Sequence, residues 1–293
     1  MLTGTQILIV GGDNRQLEVI KKLSDLNATV KIIGFENMNE SFPGVEKVKM
    51  STEWFKQSRI VILPASGTDV NGGIASTFST DELKLTADVF ESIPNDGMII
   101  SGAANAYLKN SCEMYKIKLV ELFARDDVAI FNSIPTAEGA IMMAIQNTDF
   151  TIHGSINVVL GLGRVGLTLA RTLKGLGAKV KVGVREPDLF ARAWEMGLTP
   201  FYIEELHNHV QDADILFNTI PALVVTKNII SNIERSTLII DLASKPGGTD
   251  FLFAEKYGIK AILAPGLPGI VAPRTAGCIM ADAISQLLIS DYS

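Results

Sequence analysis

The feature that most constrains this chain is a glycine spacing set between two apolar runs. Ile156-Asn157-Val158-Val159-Leu160 leads into Gly161-Leu162-Gly163-Arg164-Val165-Gly166. Residues 164–175 then carry apolar positions at helical spacing, and Gly175-Leu176-Gly177-Ala178 turns the chain into the run Lys179–Val184. Strand, glycine turn, helix and second strand is the setting in which G-x-G-x-x-G receives a dinucleotide pyrophosphate. Gly161 permits the tight turn, Gly163 lets the pyrophosphate approach the backbone, and Gly166 lets helix and strand lie close together. The helix N-terminus then offers free N–H groups to the anion. A glycine-rich turn with no ligand is the competing reading, and the flanking elements weaken it. Gly161, Leu162, Gly163, Arg164, Val165 and Gly166 are therefore candidate cofactor-binding residues.

Which dinucleotide is read at the end of the second strand, where NAD-binding sites place an acid for the ribose 2′-hydroxyl. Here Val182-Gly183-Val184-Arg185-Glu186 puts Val184 in that place and Arg185 after it. A guanidinium suits a 2′-phosphate, so NADP is expected, with NAD left open because Glu186 can pair with Arg185 or repel the phosphate. Ligands of open α/β sheets gather at the carboxyl ends of the strands. Thr219, Ile220 and Pro221, which follow the strand Asp214–Ile220 or close it, and Ala243, just after the strand Thr237–Asp241, are placed to line the nicotinamide half. Asp241-Leu242-Ala243-Ser244-Lys245-Pro246-Gly247-Gly248-Thr249-Asp250 carries a lysine in a glycine-rich turn. Ala264–Thr275, with Pro265, Pro268 and Pro273, reads as a stiff loop. Ordinary turn chemistry is the alternative for each of these segments.

Upstream of the fingerprint the same alternation appears. Gln6–Val10, Thr29–Gly34, Arg59–Pro64, Met98–Ser101 and Ile117–Val120 read as strands, and residues 14–26, 81–90 and 106–115 as helices, with Thr80 capping the second. Strands alternating with helices imply parallel sheets. The expected architecture is α/β with two parallel-sheet domains, the second a Rossmann dinucleotide-binding domain. Residues 1–133 form an N-terminal α/β domain of flavodoxin-like type, 134–273 the Rossmann domain, and 274–293 a C-terminal helix that packs back on the first. Asn132–Thr136 reads as a break before a buried linker helix, Ala137–Gln146. Glu138 then sits near a helix start, where the dipole favours an acid. Met142 and Met143 read as core, and Glu204, Glu205, His207 and His209 as solvated surface. Val10-Gly11-Gly12-Asp13 follows a strand but lacks the full fingerprint, so no second nucleotide site is expected. Ser66 and Ser101 follow strands and supply hydroxyls for a carboxylate. Arg125 reads equally well as a solvated turn.

Charge narrows the partners. The net charge is −6, with 13 basic against 17 acidic residues in 1–133 and 13 against 15 in 134–293. No region has the basic footprint of a nucleic-acid binder. No run is expected to reach the length of a membrane span, and Met1-Leu2-Thr3-Gly4 lacks the basic start of a signal peptide. Two cysteines, Cys112 and Cys278, and three histidines form no metal motif, so no metal and a reducing cytoplasm are expected.

Several segments together resemble one family. Gly11-Gly12-Asp13-Asn14-Arg15-Gln16-Leu17-Glu18, Asn132–Gly139, Gly161–Gly166, Asp241–Asp250 and Ala264–Thr275 stand in the order found in dipicolinate synthase A subunits of spore-forming Bacillus-like bacteria, and the likeness spans essentially the whole chain. The architecture is also similar to that of 2-hydroxyacid dehydrogenases and S-adenosylhomocysteine hydrolase. The resemblance implies an oxidoreductase that makes dipicolinate (pyridine-2,6-dicarboxylate) from a dihydrodipicolinate-level precursor of the lysine/diaminopimelate branch. It implies sporulation as the setting, the mother-cell cytoplasm as the location, and, as partner, a flavoprotein-like B subunit. A dicarboxylate substrate held in a cleft between the domains calls for cations and donors. Lys245, Arg274 and Arg125 are the cationic candidates, with Ser66, Ser101 and Ser244 as hydroxyls. No proton acceptor is assigned, and the oligomeric state, a homo-oligomer included, stays open. Two other readings remain: another NAD(P) dehydrogenase, disfavoured because no histidine follows His209, and a non-catalytic nucleotide-binding subunit.

Overall fold

The structure, a computed structural model, describes residues 1–291; Tyr292 and Ser293, which end the segment 274–293, lie outside the described residues. Eight strands fall in the first part of the chain: β1 Gln6–Val10, β2 Thr29–Ile33, β3 Val45–Lys47, β4 Ile60–Ile62, β5 Gly73–Ile74, β6 Leu83–Lys84, β7 Met98–Ser101 and β8 Lys118–Glu121. Six follow: β9 Ile156–Leu160, β10 Lys179–Val184, β11 Thr199–Tyr202, β12 Ile215–Asn218, β13 Leu238–Asp241 and β14 Ala261–Leu263. They build two parallel six-stranded sheets, ordered β3-β2-β1-β4-β7-β8 and β11-β10-β9-β12-β13-β14, and a small β5–β6 hairpin. Counted without that hairpin, both orders read 3-2-1-4-5-6. That corrects the flavodoxin-like expectation for the first domain, since a flavodoxin sheet runs 2-1-3-4-5. The deciding strand, β3, is three residues long with two of them exposed, too short and too polar to show in the sequence.

The strands are apolar without alternation because both faces of each sheet are covered. Ile7 and Ile9 of β1 enter one core with Val19, Ile20 and Leu23 of the helix Asn14–Asp25; Leu8 and Val10 enter another with Phe55, Val89 and Phe90. In the second sheet Val159 faces Leu169, Ala170 and Leu173, while Val158 and Leu160 face Phe201, Ile230 and Ala254. The chain divides into Met1–Phe131 with the residues from Ala272 onward, and Asn132–Val271. The helix Pro273–Asp291 belongs to the first unit. Its Met280, Ile284 and Leu288 join the Val19–Leu23 core, and a Cβ at Gly277 would lie 2.6 Å from the Arg15 carbonyl.

Three local expectations are corrected. The proposed break at Asn132–Thr136 lies inside one continuous helix, Asp126–Asn147. Pro135 removes one backbone donor, but Thr136 Oγ1 donates to the Asn132 carbonyl at 2.7 Å, and Pro135 and Ala137 are buried. Glu138 is therefore mid-helix and exposed, outside the reach of the N-terminal dipole. Met142 is also on the open face. By length and composition this helix passes as a membrane span, contrary to expectation, yet Val128, Ala137, Ala140, Ile141 and Ala144 are buried in the cores. Second, the segment 81–90 is not one helix: Leu83–Lys84 pairs as β6, and the helix is Ala87–Ser92 with Thr86 before it. Third, the stiff loop Ala264–Thr275 contains a short helix, Leu267–Val271, and Pro273 opens the last one.

Candidate nucleotide-binding site

At the end of β9 the chain turns on Gly161, whose φ is +90°, a conformation side chains with a Cβ resist. The Gly161 N–H donates to the Gly183 carbonyl on β10 at 2.9 Å. A Cβ at Gly166 would lie 2.0 Å from the Gly161 carbonyl oxygen, so only glycine lets the helix Arg164–Gly175 start this close to the turn. Gly163 differs: a Cβ there would meet nothing within 4 Å. It caps the helix with no side-chain hydrogen bond, and no acid lies in the first turn. The space beside Gly163 is thus open and the first helical turn carries no acid, both of which an anion site at a helix N-terminus requires.

Beside the turn is a cavity of about 260 Å³ lined by Gly161, Leu162, Gly163, Gly183, Val184, Arg185, Glu186, Leu189, Ile203 and Ile220. Val184 is buried and Arg185 and Glu186 are exposed at the rim. Leu189, Ile203 and Ile220 give it an apolar wall. The donor set, backbone N–H groups beside an apolar slot with a guanidinium at its edge, fits a dinucleotide.

The neighbouring strand ends are built on two wholly buried polar residues. Asn218 closes β12 and Asp241 closes β13. Asp241 Oδ1 accepts from Asn218 Nδ2 and the Ala243 N–H, each at 3.0 Å; Oδ2 accepts from the Gly248 N–H at 2.8 Å and Thr249 Oγ1 at 2.6 Å. These bonds shape the loop whose tip carries Ser244 and Lys245, both exposed. Asp241 is not among the site residues that the sequence singles out. Its signal is a polar residue closing an otherwise apolar strand, Leu238-Ile239-Ile240-Asp241. Of the other strand-end candidates, Ile220 lines the cavity and Pro221 is exposed next to it. Thr219 Oγ1 donates to the Leu160 carbonyl at 2.7 Å and packs on the glycine turn. Ala243 is buried with its N–H held by Asp241. The Thr219 hydroxyl proton and the Ala243 N–H are thus engaged within the protein.

Of the substrate candidates, Ser66, Ser101, Arg125 and Arg274 belong to the first unit and Ser244 and Lys245 to the second. Ser66 lines a separate cavity of about 490 Å³ with Asp69, Asp81 and Glu82, three carboxylates that repel a dianion. Two backbone N–H groups, those of Gly73 and Asn71, hold the Asp69 carboxyl below its usual range. Ser101 is buried and donates to the Ala103 carbonyl at 2.7 Å. Arg125 binds both carboxylate oxygens of Asp127, at 3.1 and 2.7 Å, which raises its pKa. Arg274 is not in a loop at the edge of the second sheet, as its position after Pro273 implies. It lies in the first turn of the last helix, in the first unit, 85% exposed and 3.7 Å from Glu18. His209, expected on the solvated surface, stacks on Phe201 with ring centroids 4.2 Å apart, and burial pulls its pKa down. No group of histidine, cysteine or acidic residues suited to a metal ion occurs among the described residues.

The first unit has a matching turn at the end of β1, and it is closed. Gly11 and Gly12 have φ of +62° and +130°. The Gly12 N–H donates to the Ala75 carbonyl at 2.9 Å, the Thr77 N–H donates to the Gly12 carbonyl at 2.9 Å, and a Cβ on Gly11 would strike Ile74 and Ala75. Asp13 caps the helix Asn14–Asp25 and pairs with Arg15 at 2.6 Å.

Comparison with known proteins places this geometry. The family model for the N-terminal domain of the dipicolinate synthase A subunit matches residues 6–123, and that of the alanine dehydrogenase/PNT C-terminal domain matches residues 135–289. The dipicolinate synthase A subunit of Bacillus subtilis (strain 168) is 52% identical over 288 residues, covering 98% of this chain and 97% of that protein. The crystal structure of the dipicolinate synthase A subunit from Bacillus halodurans has a TM-score of 0.95 at 52% identity, over 98% of this chain and 99% of that one. Transhydrogenase from Sinorhizobium meliloti, at 14% identity and a TM-score of 0.69 over 96% and 93% of the two chains, shares the fold alone. With over half of its residues identical across nearly the full length, and a dehydrogenase-type nucleotide-binding domain in its second unit, the chain belongs to the family of dipicolinate synthase A subunits.

Proposed function

We propose that this chain is the NADP-linked oxidoreductase component of a dipicolinate synthase, working with a flavoprotein-like B subunit in the cytoplasm of a sporulating mother cell. The observation that carries the reading is the open glycine turn: Gly163 faces empty space at the N-terminus of a helix with no acid in its first turn, beside an apolar cavity. The residues that would hold the cofactor are Gly161–Gly166 for the pyrophosphate and Arg185 for a 2′-phosphate. Ile220 would form a wall.

Turning a dihydropyridine-level dicarboxylate into a pyridine removes a hydride and a proton, and a bound nicotinamide supplies the hydride acceptor. The chain's own task is to place the substrate. A dianion leaves water only against charges or donors. Of the candidates, Lys245 and Ser244 stand exposed on the loop at the carboxyl edge of the second sheet. Lys245 has no ion pair among the described residues, and it is the proposed contact for a substrate carboxylate. Arg125 and Arg274 are held by acids of the first unit, Asp127 and Glu18.

The test is an assay of dipicolinate formation from the dihydrodipicolinate-level precursor, with NADP and with NAD, with and without the B subunit. Formation that depends on this chain and runs faster with NADP is expected. No formation with either cofactor, together with no cofactor binding by the purified chain, overturns the proposal.

A further inference from the structure

Asp241 is a wholly buried carboxylate with no ion pair among the described residues. Taking such a group out of water is costly unless its lone pairs are filled. Here four donors fill them, and they come from three places in the chain. Asn218 lies at the end of β12, Ala243 at the start of the following loop, and Gly248 and Thr249 at its return. Asn218 reaches the other way as well: its Oδ1 accepts from the Ile220 N–H and its Nδ2 donates to the Ile220 carbonyl, both at 3.1 Å. The returning loop lies directly on this pair. A Cβ on Gly248 would stand 2.5 Å from Asn218 Nδ2 and 2.6 Å from the Ile220 carbonyl.

A loop that needed only to be closed would be served as well by apolar packing, which often matches or exceeds buried polar groups in stability. A carboxylate adds direction, because each donor must point at one of two oxygens. We propose that Asn218 and Asp241 are positioning residues that lock two functional segments in register: Ile220, which walls the nucleotide cavity, and the Ser244–Lys245 tip, which meets the substrate. This rests on the reading of Gly161–Gly166 as the cofactor site and of Lys245 as the carboxylate contact. Neither Asn218 nor Asp241 touches the substrate.

Thr249 allows a test that spares the fold. Thr249→Val removes one donor to Asp241 with little change of shape; Thr249→Ser keeps it. Amide hydrogen exchange on the full chain is read at Ala243, Gly248 and Ile220. About tenfold faster exchange at all three is expected in Thr249→Val, with wild-type rates in Thr249→Ser. Turnover with the B subunit should show a substrate KM raised about tenfold in Thr249→Val, an NADP dissociation constant within twofold of wild type, and recovery in Thr249→Ser. Faster exchange confined to Gly248, or a lowered melting temperature with unchanged KM, overturns the clamp. The exchange measurement needs neither cofactor nor turnover. A failure of the functional reading appears instead as absent NADP binding in the wild type.

Discussion

The two sheets have the same strand order, and each has a glycine turn leading from its first strand into a helix, yet only one turn is open. At Gly161–Gly166 the chain leaves space beyond Gly163 and sets no acid in the first helical turn. At Gly11–Gly12 the same space is taken by residues 74–77, whose backbone hydrogen-bonds both to and from Gly12. Asp13 then brings a negative charge to the helix N-terminus, where a phosphate would otherwise be stabilised. Topology thus places a potential anion site at both switch points, and a handful of residues decides which one is used. The segment 64–86, an excursion between β4 and the next helix, is the difference: it folds its hairpin over the first turn.

That contrast is most sharply tested by glycine substitutions at the two turns. Gly163→Val puts a side chain into open space at a backbone angle that valine accepts, so the fold should survive. NADP affinity, followed by fluorescence titration, should fall on the order of a hundredfold or more, which corresponds to about 3 kcal/mol. Gly12→Ala should do the reverse. Its φ of +130° and a Cβ 2.1 Å from Gln16 Cγ force strain into the first unit. The expected cost is roughly 1–3 kcal/mol of stability in thermal or denaturant unfolding, with the NADP dissociation constant unchanged. Equal effects of both changes on cofactor affinity would erase the distinction between the turns.

A finer test concerns the cofactor within the open site. Arg185→Ala removes a guanidinium at the cavity rim. A hydrogen bond to a charged group is worth about 1.5–3 kcal/mol, so NADP should bind roughly tenfold to a hundredfold more weakly while NAD binding changes little. Wild-type preference for NAD would remove the role given to Arg185.

How much of this the sequence discloses depends on how local the determinant is. Gly161, Gly163 and Gly166 can be assigned separate tasks because each acts within one βαβ unit. The positive φ of Gly161 and the 2.0 Å approach at Gly166 are the physical content of those assignments. Asp241 stands out only as a polar residue closing an apolar strand; its task is illegible because its donors lie at residues 218, 243, 248 and 249, which only the folded sheet edge collects. Arg274 is misplaced for a similar reason. Pro265, Pro268 and Pro273 suggest a loop, but Pro273 opens a helix, where proline fits the first position. Proline misleads again at Pro135, which sits inside a helix whose Ser133, Pro135 and Ala137 are buried. The closure of the Gly11–Gly12 turn depends on Ala75, more than sixty residues away, so the missing fingerprint says only that no nucleotide is expected and not what fills the space.

The smallest expected effect concerns the charge at the closed turn. Burial on its own would raise the pKa of Asp13. Hydrogen bonds from the Arg15 side chain and the Arg15 backbone N–H, with the nearby positive charge, outweigh it and hold the carboxyl below its usual range. A carboxylate whose folded pKa lies below its unfolded value of about 3.9 adds stability at all higher pH, and that stability is lost as pH falls through the folded value. Asp13→Asn should therefore be slightly less stable than wild type at neutral pH, and the two should converge as pH falls through the lowered folded value. Urea unfolding at a series of pH values measures this directly. The side chain is partly exposed and pairs with Arg15 near the surface, so the gap should be modest and shrink with salt. A gap that persists unchanged at low pH would mean that the cap geometry, and not the charge, is what Asp13 contributes to the closed turn.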